Sequence, residues 1–212
     1  MKYYIIKDEI MEKLVYTVKE PNEVMIEVEK SKFIASLFPI NKEEDVNYYL
    51  TKIMKEHPKA RHHCYAYILG DKYKYSDDGE PQGTAGRPMY NQLEVSNLTN
   101  VLVIVTRYFG GTLLGSGRLL RTYVKSVQEA IKEAKLVQIV KMKKFRVEID
   151  VDIYSQFLNF VNKNQFIITN TLFSDRITID FIAPLDFNEE LESIYYPKLK
   201  VIGSIPIDYR KE

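Results

Sequence analysis

The 212-residue sequence has no tryptophan, one cysteine and three histidines, and these shortages exclude several kinds of function. A single cysteine, Cys64, cannot close an internal disulfide or build a multi-cysteine metal site, which fits a reducing compartment. No metal and no cofactor are expected. No stretch approaches the roughly 20 apolar residues that cross a bilayer. The opening Met1-Lys2-Tyr3-Tyr4-Ile5-Ile6 turns charged at Lys7, short of the apolar core of a secretory signal. A cytoplasmic protein without a membrane partner is therefore expected. The net charge of +1 provides no overall field for nucleic acid or acidic lipid, so any such binding must come from a local patch. There is no low-complexity tract and no repeat with a period of 20 to 50 residues.

What remains is ordinary globular material, 45% hydrophobic and 28% charged, enough for one or two packed domains. Residues 23–29 and 32–40 alternate apolar and polar positions across a short turn at Lys30-Ser31, which predicts a β-hairpin. Asn41 with Glu43 and Glu44 precedes a helical apolar period (Val46, Tyr49, Leu50, Ile53, Met54) that should end near His57, before Pro58. A strand is predicted over residues 62–69. The run Val101-Leu102-Val103-Ile104-Val105 is apolar on both faces, as a central buried strand requires. It leads into Phe109-Gly110-Gly111 and then a helical period from about Gly117 to Lys135. The order strand, helix, strand, strand, helix, strand restarts after Val137, which is the ferredoxin-like unit. The aromatic pairs Tyr3-Tyr4, Tyr48-Tyr49 and Tyr195-Tyr196 read as core and rim packing.

Chemistry concentrates in residues 76–121. Between residues 81 and 128 five basic residues (Arg87, Arg107, Arg118, Arg121, Lys125) face one acid, Glu94. Glycines between a buried strand and a helix let backbone N–H groups approach a ligand, and a helix start favours anions. Ser116 is a candidate N-cap. Arg118 then falls in the first turn, where the dipole repels a cation unless an anion or carboxylate sits with it, and Arg118, Arg121 and Lys125 share one helix face. Gly110 and Gly115 have the Walker spacing, but Ser116-Gly117 stands where Lys-Ser/Thr is required, and the third glycine of a dinucleotide fingerprint is missing. A second loop, residues 76–88, carries Asp77, Asp78 and Glu80. These carboxylates could bind a cation, act as acid and base, pair with the arginines, or simply belong to a turn around Asp78-Gly79. His62 and Cys64 should share one strand face while His63 points away. No further signature supports a thiol enzyme.

These segments, namely Ser31-Lys32-Phe33-Ile34-Ala35, Ala60-Arg61-His62-His63-Cys64-Tyr65-Ala66-Tyr67, residues 76–86, and Arg107-Tyr108-Phe109-Gly110-Gly111 through Arg121-Thr122-Tyr123, resemble the YigZ/Impact family. Arg118 departs from the glycine expected there in many relatives. The resemblance implies an α+β chain: residues 1–136 like the second domain of ribosomal protein S5, and residues 137–212 a ferredoxin-like βαββαβ domain like the last domain of elongation factor G. It also implies a role in translation or its regulation, with RNA or a translation-related protein as partner, and no particular reaction. Residues 141–212 hold ten basic and eleven acidic residues, so binding is assigned to the first domain. The candidate ligand-binding residues are His63, Asp77, Asp78, Glu80, Arg107, Tyr108, Gly110, Gly111, Gly115, Ser116, Arg118 and Arg121. The alternative is an enzyme holding a small phosphorylated or carboxylated substrate at the loop from Gly110 to Arg121.

Overall fold

A computed structural model describes residues 14–187 and 191–211. Tyr3 and Tyr4 lie outside the described residues. The described chain divides after Gln138 into two compact units.

The first unit is built on a sheet of order β2-β3-β6-β4-β5: β2 (Asn22–Val28), β3 (Ser31–Pro39), β6 (Val101–Tyr108), β4 (His62–Leu69) and β5 (Lys72–Ser76). Every neighbouring pair is antiparallel. The apolar run of β6 is central as predicted, and both its faces are covered by helices although the sheet is not parallel. On one side Val103, Val105, Phe33, Ala35 and Cys64 pack against Met89 and Leu93 of α2 (Gly86–Val95) and Leu119, Tyr123 and Val127 of α3 (Ser116–Glu133). On the other, Leu102, Ile104, Phe38 and Tyr67 pack against Val46 and Ile53 of α1 (Glu43–Glu56). Tyr49 stacks on Phe38 at 4.1 Å, while Tyr48 is exposed. A short strand, β1 (Val15–Val18), is tied in by Tyr16 N–H to the Asn97 carbonyl and Thr99 N–H to the Tyr16 carbonyl.

The start of α1 is held by Asp45, whose carboxylate accepts the Asn41 and Lys42 N–H groups, so the cap is Lys42 rather than Asn41. Three elements of this unit have no counterpart in the sequence reading, β1, β5 and α2. The turn between β2 and β3 is Glu29-Lys30, with φ of 49° and 61°. Left-handed backbone at two residues that are not glycine is costly, on the order of 1–2 kcal/mol each, and needs support from outside the turn. Gly110 provides it. Its N–H donates to Ser31 Oγ at 3.0 Å, and a Cβ there would sit 2.1 Å from the Lys30 carbonyl carbon. Only glycine permits that approach.

The second unit has the order β10-β7-β9-β8: β10 (Leu199–Lys211), β7 (Leu136–Ile149), β9 (Ile177–Pro184) and β8 (Ile167–Phe173). Phe145, Val147, Ile179 and Phe181 face Phe157 and Val161 of α4 (Tyr154–Lys163) and Leu191 and Tyr195 of α5 (Leu191–Tyr195). This is the βαββαβ order expected after Val137. Tyr195 is buried and Tyr196 exposed. Of the helix expected over residues 187–195, residues 188–190 lie outside the described residues.

Candidate functional site

The antiparallel register aligns His62 with Arg107 and Cys64 with Val105. Strand alternation then puts His62, Cys64 and Arg107 on the face toward α3, and His63, Thr106 and Tyr108 on the face toward α1. The candidate residues therefore separate into two groups.

On the α1 side, His63 Nδ1 lies 3.2 Å from Thr106 Oγ1 and its pKa is lowered chiefly by burial. Tyr108 pairs its hydroxyl with His57 Nδ1 at 3.0 Å. Neither joins the arginine cluster.

On the α3 side a buried network forms. Glu80 Oε1 accepts from Arg107 Nη1 at 2.6 Å and from the Tyr123 hydroxyl at 2.7 Å. Arg107 is 5% exposed and Glu80 8%. The Arg107 Nε is buried and has no acceptor among the described residues. Its guanidinium lies over the rings of Phe33 and Phe109, at 5.2 and 5.8 Å. His62 Nδ1 is 2.7 Å from the Asp78 carbonyl oxygen, which can only accept, so Nδ1 carries the hydrogen and Nε2 faces Glu80 Oε2 at 3.9 Å. The Cys64 thiol is 2.9 Å from the Asp77 carbonyl oxygen and 3.3 Å from the Tyr123 hydroxyl. Burial pushes its pKa up to about 12, and the nearby carboxylates add to that. It is a packed thiol and no nucleophile. Tyr123 is raised as well, first by burial and then by Cys64 and Glu80.

The three carboxylates of the second loop do separate jobs. Asp77 accepts N–H groups from Gly83, Ala85 and Gly86, at 2.8, 3.0 and 2.8 Å, which caps α2 and closes the loop. Asp78 accepts the His63 N–H at 2.6 Å. Glu80 alone faces the arginine. Among the described residues no group of three His, Cys, Asp or Glu side chains is placed to hold a metal.

The second glycine segment also divides. Gly110 packs on the hairpin, while Gly111 and Gly115 have φ of 93° and 71° and shape the loop. The N-cap of α3 is Gly115 rather than Ser116, and no side chain caps it. Glycine fits because the chain enters the helix at positive φ. The first turn thus keeps open N–H groups, since Leu119 N–H is the first to find the Gly115 carbonyl. The carboxylate that Arg118 calls for is Glu29, at 2.8 Å across an exposed pair. Arg121 and Lys125 are exposed.

Between these parts lies a cleft of about 440 Å³, walled by Arg61, His62, Glu80 and Arg107 on one side and Phe109, Leu113, Leu114 and the start of α3 on the other. It collects Glu80, Arg107, Gly115 and Ser116 from the predicted set. His62, which the sequence offers with His63 as a pocket-lining residue, does line it, whereas sequence reasoning missed Arg61, its neighbour in the Ala60-Arg61-His62-His63 segment. Among the described residues no helix is long and apolar enough to cross a membrane.

Residues 29–131 match the Impact N-terminal domain. The chain is 36% identical over 168 residues to the IMPACT family member YvyE of Bacillus subtilis (strain 168), covering 78% of this chain and 77% of that protein. It is 40% identical over 118 residues to the IMPACT family member YigZ of Escherichia coli (strain K12), covering 53% and 58% of the two chains. The crystal structure of a hypothetical protein aligns with a TM-score of 0.65 at 27% identity, over 89% of this chain and 96% of that one. With 78% of the chain matched at 36% identity by such a relative, the chain belongs to the IMPACT family.

Proposed function

We propose that the chain is a non-enzymatic binding protein acting in translation or its regulation, and that it holds an anionic group of RNA or of a protein partner in the cleft at the start of α3. One observation carries this reading: the uncapped N-terminus of an 18-residue helix opens into a cleft that also holds Arg61 and the buried Arg107. Helix N–H groups and a guanidinium together favour an anion. Family membership supports the placement in translation.

Ser116→Asp tests it. The substitution puts a carboxylate in the first turn, which suits the helix itself but repels an incoming anion. Binding of labelled RNA, and of partner proteins captured with and without nuclease, is expected to fall in Ser116→Asp with the fold intact, and RNA binding is expected to weaken as salt rises. Wild-type binding left unchanged by the substitution would sink the proposal.

A second reading, an enzyme acting on a small phosphorylated or carboxylated substrate, is favoured by the pairing of His62 Nε2 with Glu80 in a cleft of small-molecule size. A thermal-shift panel of such metabolites, with and without magnesium, separates the two. A ligand at 100 times its Kd stabilises by about 2.7 kcal/mol.

A further inference from the structure

We infer that the cleft receives the C-terminal carboxylate of a partner polypeptide whose last side chain is aliphatic. This rests on the anion-holding reading above and names the group that is held.

Charge sets the first limit. Arg107 is already balanced by Glu80 at 2.6 Å, with Tyr123 on the same oxygen. The charge left for a ligand is that of Arg61, which has no ion-pair partner among the described residues, and the partial charge of about +0.5 at a helix start. That suits one negative charge. A phosphate monoester brings about −1.5 to −2 at neutral pH.

The walls set the second limit. Phe109, Leu113, Leu114 and Leu119 line the cleft, and Leu113 at the lip is 86% exposed. An aliphatic side chain has apolar surface to meet here. A nucleic-acid base would need an open aromatic face, but the Phe109 ring already has Arg61 at 5.2 Å and Arg107 at 5.8 Å. A volume of about 440 Å³ accommodates a terminal residue rather than a folded surface. Capture of a chain terminus by backbone N–H groups is a recurring recognition mode.

The test is an NMR titration of the full chain, following the Ser116 and Gly117 amides. The probes are N-acetylated pentapeptides ending in Leu, as free acid and as amide, an amide with an internal Asp, and the oligonucleotide rU5. The free acid is expected to shift both amides saturably, and amidation to weaken it at least about tenfold, the scale of a lost charge-assisted hydrogen bond. Leu113→Asp, at an exposed position that does not bear on folding, should abolish the shifts, and Arg61→Gln should weaken them. Equal binding of free acid and amide, or of the internal-Asp amide, overturns the inference. Saturable shifts with rU5 and none with peptides also overturn it while leaving the anion-holding reading standing, whereas no response to any anionic probe removes both.

Discussion

Each unit contains one nearly buried carboxylate held by an arginine, and the two are built differently. Glu80 and Arg107 are buried together beneath a cleft. Asp180 is 3% exposed, but its partners are open to water: Arg146 binds it through Nε and Nη2 at 2.7 and 2.8 Å with its side chain half exposed, and Lys144 lies 3.6 Å away. Removing the acid therefore leaves a stranded cation in the first unit and two solvated cations in the second. Burial of a charged pair makes each partner hostage to the other, whereas a pair opened to water on one side tolerates loss of its acid.

The largest expected effect tests the buried pair. Glu80→Ala should destabilise the first unit by about 3–5 kcal/mol, read as lost hydrogen-exchange protection of β6 amides, because Arg107 is left unpaired. Replacing both as Glu80→Leu/Arg107→Met should cost less than Glu80→Ala alone, since no buried charge remains; an additive loss would break the contrast. Asp180→Asn should cost about 1–2 kcal/mol, read on β9 amides, because the cations it frees are already hydrated. Acid titration sharpens the comparison. The Arg146 hydrogen bond, the largest cause, holds the Asp180 pKa below its ordinary 3.8. Its stabilising contribution is thus present above that ordinary value and lost as pH falls through the lower folded one. Arg146→Ala should shrink this acid loss, visible as a shallower fall in β9 protection below about pH 4. The smallest effect is at Cys64, which should resist alkylation by iodoacetamide at pH 8 in the folded protein, since its pKa near 12 and its burial keep the thiol protonated and covered.

Much of this arrangement was readable from local pattern. The run from Val101 to Val105 announced a strand covered on both sides, and the period through Leu119, Tyr123 and Val127 announced α3. What escaped depends on distant partners. The N-terminus of α2 carries no capping residue of its own, because Asp77, eight and nine positions upstream of the N–H groups of Ala85 and Gly86, does the capping. The strand β5, Lys-Tyr-Lys-Tyr-Ser, lies at a sheet edge and is largely exposed, so it has no buried face to give a hydrophobic period. The site shows the same division. Its glycines and arginines were visible, but which carboxylate meets Arg107 was not, since Glu80 is 27 positions away and its neighbours Asp77 and Asp78 offer the same chemistry.

The three N–H groups gathered by Asp77 have a kinetic consequence. They set the wall that carries Gly79, Glu80 and Pro81 before any partner arrives, so an encounter does not wait for that segment to order and loses little conformational entropy in doing so. Competing partners should then differ in how long they stay rather than in how quickly they arrive.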